Sequence, residues 1–297
     1  MARLHHTEGF SRTEDALTVL FCLTDDAYAH LNAQAKSYES IKRLSDSEVL
    51  ALALLQQLRG LQSERSFLRD AERFFSHLLP GVVGLHPSSF HRRVRRLRHF
   101  LEPLRRVVLA ELVGEPETLI VDSTLLEVLH PREVSQSAGF EGAAWVKWGS
   151  FAVYGVKLHL LCSTNRIPLS YELTAANVAD ALLVRELVAG AGLLGEDDLA
   201  RKLLGELAYR GGGLAAELAQ SGILLATEKA DRRPPIRQRV EVCFAALKRV
   251  FGMDRTLAKT LVGLATRIAA KVAAYTYGCY INRLIGRPQG RIRDLWA

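Results

Sequence analysis

TLIVDST, at residues 118–124, begins with a run of aliphatic and β-branched residues, and the carboxylate of Asp122 follows that run. KLLGELAY, at 202–209, is a second apolar run with one acid, and RQRVEVCFAALK, at 237–248, has helical spacing and one further acid. A charge at the end of a buried strand is costly unless a cation pairs with it. Three carboxylates also suit the preference of Mg²⁺ for oxygen ligands. We therefore predict a divalent-metal site, whose ligands are Asp122, Glu206 and Glu241.

Length and composition bound the class of protein. The chain has 297 residues, enough for one large domain or two modest ones, and its net charge is +7. That charge favours a polyanionic partner, although a basic enzyme without one is also compatible. The four cysteines are too far apart in sequence for a metal knuckle or redox pair, which predicts reduced thiols in a cytoplasmic protein. The apolar stretch at 257–281 is interrupted by Arg267 and Lys271, so we expect a packed helix and no membrane span.

Helical spacing dominates residues 1–113. Ser45 and Glu48 predict a capping box at the start of one helix. At 89–111, apolar side chains recur at steps of three and four and form one stripe. Arginines crowd the other faces of this helix, and the candidate DNA contacts among them are Arg92, Arg93, Arg95 and Arg96. Short helices before an arginine-rich helix favour an all-helical, helix-turn-helix-like DNA-binding domain, and a bundle with a solvated arginine face is the alternative.

Composition changes at 114–117, which predicts a second domain over 114–297. Strands are expected at 118–122, 154–163, 167–174, 202–207 and 223–227. Helices are expected after the third, fourth and fifth strands. The order βββαβαβα predicts an α/β domain with a mixed sheet, formed by a hairpin meander and then crossover units. Residues 125–150 lack periodicity and are interpreted as a long inserted loop, and further helices end the chain.

Several cations accompany the candidate acids. Arg237 and Lys248 flank Glu241 at i−4 and i+7, where either could hold a phosphate or orient the carboxylate. An ordinary intrahelical ion pair is the alternative. Lys157 lies on the strand expected at 154–163 and is a further candidate DNA contact. Divalent ions can activate an attacking oxygen and stabilise a leaving oxygen, so the acids and cations together favour phosphodiester chemistry.

The chain resembles the DDE transposases of bacterial insertion sequences in five ordered motifs: IVDST, YGVKLHLLCS, IPLSYELTAANVAD, LLGELAYRGGGL and RQRVEVCFAALKRVFG. The insertion sequence 982 family is the most similar group, and LSDSEVLALALLQ resembles its leader domain. The resemblance covers about residues 44–282. It implies an RNase H-like catalytic domain, Mg²⁺ or Mn²⁺ as cofactor, and the cutting and joining of element ends. The expected partner is double-stranded DNA, at terminal inverted repeats and target sites, bound by a homodimer that is nucleoid-associated in the cytoplasm.

The resemblance also assigns the acids. Asp122 matches the first Asp of the family, and Glu241 matches the Glu of a signature similar to Arg-x3-Glu-x6-Lys, whose basic members are Arg237 and Lys248. The Tyr expected three residues before the Arg is absent, because Pro234 stands there.

Glu206 departs from the family, which usually has Asp at this position. Glutamate keeps the charge but adds one methylene, and a shift of about 1 Å can cost roughly a hundredfold in rate. Three hypotheses therefore remain open: an active transposase, a catalytically weakened or dead relative that only binds DNA, and an RNase H-like metal-dependent nuclease without strand transfer.

Overall fold

The computed structural model describes residues 13–31, 42–136, 140–194, 200–211, 213–228 and 238–296. The chain divides into two compact units. The first comprises the residues up to Leu112 together with Leu247–Ala258 and the residues from Val262 onward. The second comprises Val113–Ala246 with Lys259–Leu261.

Helices dominate the first unit. The α-helices in the described residues of both units are α1 (Thr13–Leu31), α2 (Asp46–Leu58), α3 (Glu64–Phe75), α4 (Pro87–Leu112), α5 (Val184–Gly190), α6 (Leu214–Ala219), α7 (Gln238–Arg249) and α8 (Leu261–Leu284). Of these, α5 and α6 belong to the second unit. The predicted capping box of α2 is confirmed, because the Glu48 N–H donates to Ser45 Oγ at 3.0 Å and the Ser45 N–H donates to Glu48 Oε2 at 2.6 Å. Among all the described residues, no helix is long and apolar enough to cross a membrane.

The arginine-rich helix α4 buries one face. Its stripe from Phe90 through Leu97, Leu101 and Leu104 to Val108 is buried, as the spacing predicts. One arginine of the run is buried as well.

That arginine is Arg105, which is fully buried and donates two hydrogen bonds to the Glu102 carboxylate, at 2.7 and 2.6 Å. A buried guanidinium needs such a bidentate partner. Arg105 therefore belongs to the packing of α4 and not to its arginine surface.

A six-stranded mixed sheet forms the second unit. Its strands are β1 (Thr118–Leu129), β2 (Ala144–Trp148), β3 (Phe151–Ser163), β4 (Pro168–Ala175), β5 (Arg201–Glu206) and β6 (Ile223–Glu228). The strand order is β2-β3-β1-β5-β6, and β4 also pairs with β3. β3 pairs antiparallel with β1, β2 and β4, whereas β1, β5 and β6 are parallel. This sheet confirms the predicted α/β class with a mixed sheet.

The prediction of a long loop at 125–150 is wrong in part. β1 continues to Leu129, a 3₁₀ helix follows at Pro131–Gln136, and β2 adds a strand that the sequence did not predict. β2 is only five residues long and is stabilised by pairing along β3, a contact that local periodicity cannot reveal.

The predicted domain 114–297 also differs from the observed division. The chain divides after Leu112, next to the expected boundary, but most of α8 belongs to the first unit. The reason is packing: nearly the whole circumference of α8 is buried, and Lys271 on α8 bonds Gln57 of α2. The sequence shows that such a helix is buried without showing its partner.

Candidate active site

Asp122 lies on the central strand β1, between β3 and β5. Its carboxylate accepts a hydrogen bond from the backbone N–H of Ser123 at 2.8 Å. The parallel register pairs Ile120 of β1 with Leu204 of β5. These are the last residues paired between the two strands, and Asp122 and Glu206 each stand two residues further on, which by alternation puts them on the faces of Ile120 and Leu204. In-register residues of parallel strands point to the same face, and neighbouring strands lie about 4.8 Å apart, so these two acids share one face of the sheet.

Glu206 ends β5, and its register partner on β6 is Glu228, which ends that strand. Acids therefore stand at the carboxyl ends of two adjacent parallel strands, the edge at which open α/β sheets bind ligands. Sequence reasoning missed Glu228. The available signal was its position at the end of ILLATE, residues 223–228, where it follows an apolar run as Asp122 does.

Glu241 lies in the first turn of α7 and is half-buried. Val240, Cys243 and Leu247 of the same helix are fully buried, so α7 has a packed face beside Glu241. Two residues before Glu241, the Arg239 side chain donates to the backbone carbonyl of Thr164 in the β3–β4 turn. This bond joins the first turn of α7 to the sheet unit.

Lys248 follows Glu241 by seven residues, so both project from one side of α7, about 10 Å apart along the axis. Burial lowers the pKa of Lys248 from its ordinary value, and the charge of Asp254 opposes that shift. Arg237, the other predicted cation of this signature, lies outside the described residues.

The three predicted acids do not form a preassembled ligand cluster. Among the described residues, no group of three or more His, Cys, Asp or Glu side chains is placed to hold a metal ion. The donor chemistry nevertheless fits a hard divalent cation, because carboxylate oxygens are its preferred ligands. Strand alternation from the Ile120–Leu204 pair puts Asp122 and Glu206 on one face, and the metal-binding role of all three acids stays a prediction.

Lys157 lies away from this face. It pairs with Leu125 on β1, and strand alternation puts both on the face opposite to Asp122. Lys157 Nζ donates to Asp180 Oδ1 at 2.9 Å and to the carbonyl of Val178 at 2.7 Å. Its side chain is only 14% exposed. These internal bonds give Lys157 a structural role, and its predicted contact with DNA stays a prediction.

The arginines of α4 surround an open cavity of about 630 Å³. The described residues that line it are Ser89, Arg92, Arg93, Arg95, Arg96 and Arg98. Arg92 and Arg96 are exposed, and Arg95 is half-exposed. Guanidinium groups recognise phosphate with paired donors, so this surface is chemically suited to a nucleic-acid backbone.

Arg93 differs from the other predicted contacts on α4. It donates to the carbonyl of Leu44 at 2.8 Å and to Asp46 Oδ1 at 2.6 Å. Burial opposes the charge of Asp46, but the hydrogen bonds and charges of Lys42 and Arg93 outweigh it and lower the pKa of that carboxyl. Arg93 therefore anchors α4 to the start of α2.

Comparison with known proteins identifies the family to which the chain belongs. A family model described as the transposase DDE domain matches residues 114–277, more than half of the chain. The chain belongs to the transposase DDE domain family. That match spans Asp122, Glu206 and Glu241, and all six strands of the sheet. No curated protein matches the chain.

Solved structures similar to the chain include two transposase complexes. One is the piggyBac transposase in a synaptic complex with hairpin DNA, at 12% identity and a TM-score of 0.40, covering 94% of this chain and 79% of that one. The other is the Mos1 mariner paired-end complex with Mn, at 11% identity and a TM-score of 0.31, covering 95% of this chain and 99% of that one. The family assignment rests on the family match.

Proposed function

We propose that the protein is a DDE transposase that cuts and joins DNA at the ends of an insertion sequence, of the type found in the insertion sequence 982 family. One observation supports the proposal: within the region that matches the family, β1 and β5 pair in parallel through Ile120 and Leu204, and Asp122 and Glu206 each follow two residues later, on the same face by strand alternation. Two acids on neighbouring strands, with a third on a later helix, are the ligands that metal-dependent phosphodiester cleavage requires.

The chain's own residues would bind and orient the reactants. Asp122 and Glu206 would hold Mg²⁺ or Mn²⁺ from adjacent strands, and Glu241 would add a carboxylate from α7. A bound divalent ion supplies Lewis acidity and a more nucleophilic oxygen. Lys248, on the same side of α7 as Glu241, would contact a phosphate of the DNA end, with Arg237 as the preceding cation.

The arginine surface of α4 would bind the DNA outside the reacting phosphates. Arg92, Arg95 and Arg96 line its cavity and are at least half-exposed, which favours contacts to the phosphate backbone at the terminal inverted repeats. Two ends must be processed together for an element to move, so the protein would act as a homodimer on double-stranded DNA.

The test is a cleavage and strand-transfer assay with DNA that carries the terminal inverted repeats flanking the gene, in Mg²⁺ and in Mn²⁺. We expect the wild type to cut the repeat end and join it to a target, and Asp122→Asn to do neither while still binding DNA. Glu186→Gln, an exposed acid on α5, is the matched control and should behave as the wild type.

One observation favours a second candidate. Glu206 replaces the shorter Asp expected at the end of this strand, which suits a weakened relative that still binds DNA through α4. The same assay separates the candidates, because end binding without cleavage in either metal would support the DNA-binding relative. Cleavage without joining would instead support an RNase H-like nuclease.

A further inference from the structure

A polar network lies on the face of the sheet opposite to the Asp122 side chain. Ser123 follows Asp122 on β1, and its register partner on β3 is His159. Because successive side chains of a strand alternate, both point to the face that Asp122 does not use. α5 covers this face, where Ser170 Oγ donates to the carbonyl of Leu187 at 2.5 Å. The polar groups here are therefore enclosed behind the candidate metal ligand.

Asp180 is the centre of this network. It begins the 3₁₀ helix Asp180–Leu183, just before α5. Its Oδ1 accepts hydrogen bonds from Ser123 Oγ at 3.0 Å and from Lys157 Nζ at 2.9 Å. His159 Nδ1 lies 3.7 Å from the same oxygen. One carboxylate thus joins β1, β3 and the helix that covers them.

A short chain of bonds connects Asp180 with Asp122. The Ser123 hydroxyl is held by Asp180, and the Ser123 N–H donates to Asp122 Oδ1 at 2.8 Å. A ligand carboxylate binds a metal well only when its rotamer is fixed by its surroundings. We infer that Asp180 is a positioning residue, which holds Ser123 so that Asp122 presents its carboxylate to the metal. This inference rests on the proposed function and adds to it a residue outside the acidic triad.

The charges of Asp180 and its neighbours are consistent with this positioning role. His159 is completely buried, its Nε2 lies 2.9 Å from Thr174 Oγ1, and its Nδ1 has no hydrogen-bond partner among the described residues. Burial lowers the pKa of His159 to about 4, with Asp180 opposing the shift and Lys157 adding to it, so the ring is neutral at pH 7. The charge of Asp180 therefore balances that of Lys157, and the neutral His159 adds no further positive charge to this network.

The experiment measures Mn²⁺ affinity directly, from the electron paramagnetic resonance signal of free Mn²⁺ titrated with the full chain. Ser123→Ala removes the hydroxyl link and leaves the Lys157–Asp180 ion pair intact. We expect it to weaken Mn²⁺ binding about tenfold, the usual effect of losing a bond that orients a metal ligand. Ser123→Thr keeps the hydroxyl and should bind as the wild type.

A second variant removes the Asp180 carboxylate, which accepts the hydrogen bond from the Ser123 hydroxyl. Asp180→Ala combined with Lys157→Met deletes the carboxylate without leaving a buried lysine unpaired, and it should weaken Mn²⁺ binding by a similar factor. Glu186→Ala, six residues further along the same segment, is the matched control and should have no effect. Thermal melting confirms folding, and DNA binding by Ser123→Ala, measured by gel shift, should remain within about twofold of the wild type.

The outcomes distinguish this inference from the proposed function. If the wild type binds Mn²⁺ and Asp122→Asn does not, but Ser123→Ala and the double variant bind as the wild type, the positioning role of Asp180 is wrong and the metal site stands. If the wild type does not bind Mn²⁺ at all, both fail. Weakening in Ser123→Ala with recovery in Ser123→Thr supports the inference even if the double variant does not fold.

Discussion

Glu206 closes β5 with a side chain one methylene longer than the aspartate expected there. If the metal requires a short ligand, Glu206→Asp should raise cleavage of element ends in Mg²⁺, by up to roughly a hundredfold. Mn²⁺ is less strict about ligand geometry than Mg²⁺, so in Mn²⁺ the cleavage rates of the wild type and Glu206→Asp should differ less.

The comparison needs end-labelled terminal-repeat DNA, with equal occupancy of wild type and variant checked by gel shift. Glu186→Asp makes the same change on the surface of α5 and should leave the rate unchanged. A wild type that already cuts as fast as Glu206→Asp in Mg²⁺ would show that the site has adapted to glutamate.

His159 should make the stability of the protein pH-dependent. Its pKa in the folded protein is lowered to about 4, against 6.5 for the free side chain. Between these values the unfolded chain takes up a proton that the folded chain does not, so the free energy of unfolding falls as pH decreases from about 6.5 to 4, by roughly 3 kcal/mol at most.

His159→Gln removes the titrating ring and retains a donor for Thr174 Oγ1. The difference in free energy of unfolding between wild type and variant, measured by urea denaturation at several pH values, should therefore shrink as pH decreases through this window. A difference that stays constant from pH 7 to pH 4 would contradict a buried neutral His159.

Helix α4 carries both exposed arginines, which are the predicted DNA contacts, and arginines held by internal hydrogen bonds. Replacing Arg92, Arg95 and Arg96 together with Ala should weaken DNA binding and reduce the log–log salt slope by about 0.9 for each lost phosphate contact. Filter binding over a range of salt concentrations provides both quantities. Unchanged affinity and slope would assign these arginines to a solvated face.

Arg93→Ala serves as the structural comparison on the same helix. Arg93 donates hydrogen bonds to Asp46 and to the carbonyl of Leu44, so Arg93→Ala should lower the melting temperature more than the triple substitution does. The salt slope of DNA binding should change less in Arg93→Ala than in the triple variant.

Lys271 holds together distant parts of the first unit. Its Nζ donates to Gln57 Oε1 and Gln62 Oε1, each at 2.9 Å, and to the carbonyl of Phe251. Lys271→Met keeps most of the packing but removes the Nζ donor from the two glutamine oxygens, whereas the Phe251 carbonyl keeps a bond from Gln62 Nε2, and the change should cost roughly 2 kcal/mol. Calorimetry should show a melting temperature lower by several degrees, whereas Lys259→Met, an exposed control, should not change it.

The sequence predicts those features of the whole molecule that depend on local patterns. The apolar run before Asp122, the stripe of α4 and the capping box at Ser45 all have the expected structure. β2 and the extension of β1 to Leu129 were not predicted, because both depend on pairing with β3. Likewise, periodicity indicates that α8 is buried but not that it packs with the N-terminal helices.

The candidate site was predictable to a similar extent. Asp122 and Glu206 follow apolar runs, a signal that the sequence contains, and the pairing of β1 with β5 then adds that the two acids lie on one face of the sheet. Asp180 could not be found in this way. It lies at the start of the helix predicted after β4, and its bonds to Ser123 and Lys157 exist only because the sheet brings those strands together.

The central claim is that Asp122, Glu206 and Glu241 bind one metal centre. Iron-directed cleavage of the backbone tests it most directly: Fe²⁺ takes the place of Mg²⁺, and ascorbate with peroxide generates radicals that cut the chain close to the ion. The account predicts cuts near 122, 206 and 241 together, suppressed by excess Mg²⁺ and lost in Asp122→Asn. Cuts confined to one of these segments, or located elsewhere in the chain, would contradict it.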